Sequence, residues 1–107
     1  MSYKTKLKSI KNFVFDVDGV FTDGSITVDI LGNELRQFST RDGIAVKLAT
    51  DLGYNICVIS GGNNEGVRKR LNRLGVKDVF LGVDNKQMIY NEFLDKYKLN
   101  NSETVFM

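Results

Sequence analysis

Four short apolar runs, closed by small or polar residues and separated by amphipathic stretches, constrain this chain more than any other feature. Asn12 to Val17, read as NFVFDV, is rich in Phe and Val and apolar without clean alternation. That pattern predicts a strand buried on both faces, ended by Asp18-Gly19. Asn55 to Ser60 is a second such run, Val79-Phe80-Leu81 a third, and Glu103 to Met107 the start of a fourth. Helical patterns fill the gaps. Asp42 can cap a helix over about residues 43–52, with Ile44, Val46, Lys47, Leu48 and Leu52 as its stripe and Gly53 just past its end. Asn63 or Asn64 can cap a second helix running to about Leu74, ended by Gly75. Asp84 or Asn85 can cap a third through about Tyr97, with Met88, Ile89, Phe93 and Leu94 facing inward. Residues 25–29 and 34–39 alternate partially around Leu31-Gly32-Asn33, which predicts a β-hairpin with positive φ at Gly32 or Asn33. Strands alternating with helices predict an α/β, Rossmann-like fold: a parallel sheet with helices on both faces, and a hairpin after the first strand.

The chain of 107 residues fits one small domain, residues 1–107. Its balance, 42% hydrophobic and 26% charged, is that of a soluble globular protein, and a core this thin favours oligomerisation. Histidine is absent, which removes His-based triads and His-ligated zinc. The one cysteine, Cys57, lies inside an apolar run and reads as core filler. A lone cysteine cannot form an internal disulfide, and no stretch approaches the length of a membrane span, so the expected location is cytoplasmic, with no membrane partner. Lys4, Lys6, Lys8 and Lys11 make the start basic, but no aromatic residues interleave with them, so they read as a solvated arm and no nucleic-acid partner is expected.

In open parallel sheets ligands bind beyond the carboxyl ends of the strands. Three chemically capable sets fall there. The first strand ends in Asp16 and Asp18, which point to one face if the strand persists, about 6–7 Å apart. Two carboxylates beside a glycine turn suit a hard divalent cation such as Mg²⁺, although Asp-Gly alone is a common solvated turn. The second strand ends in Ser60-Gly61-Gly62 before a helix start, a hydroxyl and free amides suited to phosphate. Lys86 follows the third strand and, taken alone, is an ordinary surface lysine. Together a carboxylate pair, a hydroxyl and an ammonium at one sheet edge suit phosphoryl transfer.

The segment DVDGVFTDG matches the DxDGxxT first motif of the haloacid-dehalogenase superfamily. With the hairpin, FSTRDG, ISGG and VDNK, the chain resembles the small cap-less branch of that superfamily from about residue 10 to residue 107. That branch includes 3-deoxy-D-manno-octulosonate 8-phosphate phosphatases and nonulosonate 9-phosphate phosphatases. The resemblance implies that Asp16 attacks phosphorus and forms an aspartyl-phosphate. It implies that the Asp16 side chain and the Asp18 carbonyl hold Mg²⁺, and that the Asp18 side chain protonates the leaving sugar oxygen and then deprotonates water. It makes Ser60 and Lys86 phosphate ligands and adds Thr22, Gly61 and Arg41 to the substrate-binding set. It also implies a phosphorylated sugar acid as substrate and a homotetramer, the hairpin packing on neighbouring subunits.

Two departures qualify this. Where octulosonate phosphatases carry Arg, and some nonulosonate enzymes Glu, two residues after the second-motif hydroxyl, this chain has Gly62. The resembling enzymes also continue into an acidic GDDxxD motif, whereas Val105-Phe106-Met107 ends this sequence. The chain is therefore expected to be a truncated form, with a non-catalytic binding module as the rival reading to an enzyme.

Overall fold

Strand β1 (Asn12–Phe15) is apolar after Asn12 because both of its faces are covered. In the computed structural model, which describes residues 10–107, Val14 faces one helical layer while Phe13 and Phe15 face the other. Lys4, Lys6 and Lys8 of the basic arm lie outside the described residues. The hairpin strands follow, β2 (Thr27–Val28) and β3 (Glu34–Leu35). Then come α1 (Thr40–Asp51), β4 (Asn55–Ile59), α2 (Glu65–Arg73), β5 (Asp78–Phe80), α3 (Lys86–Tyr97), a 3₁₀ turn over Asn101–Glu103, and β6 (Thr104–Phe106). The four-stranded sheet has the order β5-β4-β1-β6, and all its pairs are parallel. The pairing of Phe15 with Val58 and of Ile59 with Phe80 brings the carboxyl ends of β1, β4 and β5 to one edge.

One core layer joins Ile56, Val58 and Val79 of the sheet to Val46 of α1 and Val67 and Leu71 of α2. The other joins Val14, Cys57 and Ile59 to Tyr90 and Phe93 of α3. Odd and even strand residues thus feed opposite layers, as the pleat requires. A row of aromatic contacts, Phe15 on Phe21 and Phe21 on Phe38, with centroids 5.3 and 6.2 Å apart, ties β1 to the loop after it and to the segment before α1.

Several expectations are corrected. The hairpin is real, with Gly32 at φ +83°, but each arm has only two paired residues. Its turn is held by Asp29, whose carboxylate accepts from the amides of Leu31 and Asn33 at 2.9 Å. Helix α1 starts earlier than expected, because Ser39 rather than Asp42 caps it, its hydroxyl accepting from the Arg41 amide at 3.2 Å. Of the expected α1 stripe Val46 is buried, but Ile44, Leu48 and Leu52 are exposed, and Gly43 takes the other buried position. Met88 likewise faces solvent, and Tyr90 takes the inward position. Of the proposed caps, Asn64 and Asn85 are the ones used.

Candidate active site

Strand β1 ends one residue earlier than the motif's first aspartate, and this decides the site's geometry. After Phe15 the chain turns, Val17 drops into the core, and the amides of Phe21 and Val20 bond back to the Val17 carbonyl. Gly19, at φ +84°, supplies the left-handed step of this turn. Asp16 and Asp18 therefore do not share one strand face, contrary to the two-residue spacing argument, and each meets a different cation.

Asp16 lies at the sheet edge. Its Oδ2 accepts from Lys86 Nζ at 2.6 Å and its Oδ1 from the Val17 amide at 2.7 Å. Lys86 reaches it from the first turn of α3, which Asn85 caps through the Met88 amide at 3.1 Å. A pair separated by 70 residues in sequence is thus assembled by the order of strands alone.

Asp18 faces the hairpin. Arg36, just past β3, donates to it twice, Nε to Oδ1 at 2.7 Å and Nη2 to Oδ2 at 3.3 Å. Arg36 also meets Glu34 Oε2 at 3.4 Å. Its side chain is only 6% exposed, against 40% for Asp18. The hydrogen bond to Asp18, opposed by burial, raises the Arg36 pKa above its ordinary value.

Ser60 is buried just beyond β4, and its Oγ accepts from the Gly62 amide at 3.1 Å. Its backbone is pinned on both sides, the amide to the Phe80 carbonyl and the carbonyl to the Val83 amide. Gly61 is exposed in the same loop. Thr22 is buried, and its hydroxyl accepts from the Gly24 amide at 3.1 Å and the Gly19 amide at 3.4 Å, so it braces the motif loop. Arg41 sits exposed on the first turn of α1, and the structure gives its side chain no hydrogen bond or ion pair with Asp16, Asp18, Ser60 or Lys86. The structure thus joins Lys86 to Asp16 and sets Ser60 on the neighbouring strand end, while Thr22 and Arg41 stand apart from that group.

Sequence reasoning missed Arg36. The partial alternation of residues 34–39 does not single it out, yet its spacing from Glu34 puts both charges on one hairpin face. As for a cation, the Asp16 carboxylate and the Asp18 carbonyl are hard oxygen donors of the kind Mg²⁺ takes. They fit in kind and fall short in number, since no group of three acidic or other metal-binding side chains occurs among the described residues.

The fold and the strand-end residues point to one class: the chain is similar to proteins of the haloacid-dehalogenase type. A protein from Legionella pneumophila assigned to that superfamily (subfamily III A) superposes with a TM-score of 0.89 at 33% identity, covering 95% of this chain and 56% of that one. More particularly, the chain is similar to 3-deoxy-D-manno-octulosonate 8-phosphate phosphatases. It is 32% identical over 102 residues to the one from Haemophilus influenzae, covering 95% of this chain and 57% of that protein. The enzyme from Moraxella catarrhalis, solved in complex with a magnesium ion, a phosphate ion and a 3-deoxy-D-manno-octulosonate molecule, superposes with a TM-score of 0.89 at 28% identity, over 95% of this chain and 59% of that one. The chain spans about half the length of the curated relatives it matches. No family model matches it.

Proposed function

We propose that the whole protein carrying this chain is a magnesium-dependent phosphatase that hydrolyses a phosphorylated sugar acid, 3-deoxy-D-manno-octulosonate 8-phosphate. The observation that carries this reading is the Asp16–Lys86 contact of 2.6 Å, made from the end of β1 to the first turn of α3 after β5, with the Ser60 hydroxyl at the end of β4 between those strands. An ionised carboxylate at neutral pH is available as a nucleophile, and a lysine beside it can take the phosphoryl oxygens as they approach. Asp16 attacks phosphorus; the bond from phosphorus to the sugar oxygen breaks as Asp18 gives that oxygen a proton. Water then gives a proton to Asp18 and attacks the aspartyl-phosphate, releasing inorganic phosphate and restoring Asp16. Ser60 and Lys86 hold the phosphoryl oxygens, Gly61 lets its loop lie close to them, Thr22 braces the motif loop, and Arg41 would meet the substrate from outside that group. Magnesium, held by the Asp16 carboxylate and the Asp18 carbonyl, would neutralise charge between the phosphate and Asp16.

The reading includes a cytoplasmic, homotetrameric enzyme. Among the described residues no helix is long and apolar enough to cross a membrane, and the hairpin exposes Ile30 and Leu31 almost fully. For the 107-residue piece on its own, the shortage of acidic side chains favours a second reading, a phosphate-binding module without turnover. The test is phosphate release from octulosonate 8-phosphate at millimolar Mg²⁺ by the whole protein and its Asp16→Asn variant. The variant is expected to lose at least roughly a hundredfold in rate while keeping its fold. A variant retaining more than about a tenth of the activity contradicts the assignment.

A further inference from the structure

Arg36 occupies a socket that exists only because residue 62 has no side chain. A Cβ built on Gly62 would stand 2.9 Å from Arg36 Nη2 and 3.5 Å from Ser60 Oγ. The guanidinium therefore lies against the phosphate loop on one side, with Asp18 and Glu34 on the others. The hairpin is fixed over this loop by a second tie, Asn64 Nδ2 donating to the Glu34 carbonyl at 2.7 Å. A groove of about 840 Å³ opens between the hairpin and the loop, and the charged residues lining it, Asp29, Glu34 and Glu65, are all carboxylates. These carboxylates repel an anionic group entering on this side, and Arg36, behind the lining residues Glu34 and Gly62, is the cation that contacts them. That cation is already engaged by Asp18, in the two-point geometry that suits a carboxylate.

Resting on the phosphatase reading above, we infer that Arg36 is a specificity-determining residue that exchanges Asp18 for the carboxylate of a sugar-acid substrate, in the socket left open by Gly62. Swapping one carboxylate for another on the same guanidinium keeps two charge-assisted hydrogen bonds and leaves no buried cation unpaired. The exchange also frees Asp18 from the hairpin, and Asp18 is the group proposed to carry the proton. A phosphorylated sugar without a carboxylate cannot make the trade and leaves Asp18 held by Arg36.

The test compares two uncharged-versus-charged probes on the whole protein: 3-deoxy-D-manno-octulosonate and its methyl ester, titrated by calorimetry at millimolar Mg²⁺ and inorganic phosphate. Wild type should bind the acid at least roughly tenfold more tightly than the ester, the usual size for one charge-assisted pair. Arg36→Gln should bring the ratio of the two affinities close to one, and Arg36→Lys should keep part of the preference. Gly62→Ala should lower the ratio as well. Its backbone is not in the left-handed region, and the atom it displaces is the mobile end of a side chain, so the fold is expected to survive. Arg36→Gln leaving the ratio unchanged overturns the inference. So does Arg36→Gln weakening both probes equally, the signature of a merely structural residue. A wild-type ratio near one with phosphatase activity intact overturns this inference alone. A clear preference for the acid without hydrolysis of its 8-phosphate overturns the phosphatase reading instead.

Discussion

Single residues show where spacing arguments hold and where they fail. Cys57 was legible: an apolar run around a lone thiol predicts burial, and burial pushes its pKa up to about 12. The folded chain at pH 8 should not react with an aromatic disulfide reagent over minutes, and should release one thiol equivalent on unfolding in guanidinium. Prompt reaction in the folded state would show that β4 is not covered by α3. Asp78 was not legible, because it precedes the apolar run Val79-Phe80-Leu81, although the strand begins with it. It is buried, and accepts from Lys96 at 2.9 Å and from the Tyr97 hydroxyl at 2.7 Å. The hydrogen bond to Asp78 raises the pKa of each partner. A raised folded-state pKa contributes stability that is fully present below the unfolded values, near 10, and lost as pH rises through the folded ones. Melting temperature should therefore fall as pH rises above about 10, and Asp78→Asn should flatten that fall while lowering stability at pH 7. Equal slopes in the two proteins would contradict the triad. Asn12 was likewise unread: its buried side chain links Asn55 on one side and Thr104 on the other, at 2.9 and 3.1 Å, across the base of the sheet.

At the scale of elements, caps and turns were readable because their chemistry is local. Asn64, Asn85, Gly32, Gly53 and Gly75 all do what the residue types predict. Helix faces were less readable. The α1 stripe Ile44, Leu48, Leu52 has helical spacing, but small Gly43 and Val46 give the closer approach to α2, where a Cβ on Gly43 would meet Arg70 at 2.7 Å. Periodicity locates an apolar face without saying what covers it. Asn64 joins two elements: its Oδ1 caps α2 through Gly66, and its Nδ2 holds the hairpin. Asn64→Ala should cost about 1–2 kcal/mol in urea unfolding, the sum of a cap and one further hydrogen bond. Asn64→Asp keeps the cap and loses the tie, and is expected to recover most of the stability without restoring the hairpin contact. In the core, Phe93→Ala, at a 1% exposed position, should cost about 3–5 kcal/mol by the same measurement.

For the whole molecule, the parallel sheet could be read from the alternation of runs, but its order could not, and it is this order that sets Asp16, Ser60 and Lys86 at one edge. The pairing of Asp18 with Arg36 could not be read, because it depends on how the hairpin folds back over the sheet, a non-local event that no local pattern encodes. The account also separates the piece from the whole. The 107 residues alone should bind Mg²⁺ weakly and turn over sugar phosphates negligibly, since among the described residues no group of three metal-binding side chains accompanies the Asp16–Lys86 pair. A version extended through an acidic segment like that of the resembling enzymes should be active. Equal rates for both would show that the described residues already complete the site. The central claim, that Asp16 is the nucleophile, is tested most directly by rapid acid quench of the whole protein with substrate labelled at phosphorus. The account predicts an acid-stable, base-labile label on the peptide containing Asp16, absent in Asp16→Asn. Full turnover with no label, or a label on any other peptide, would contradict it.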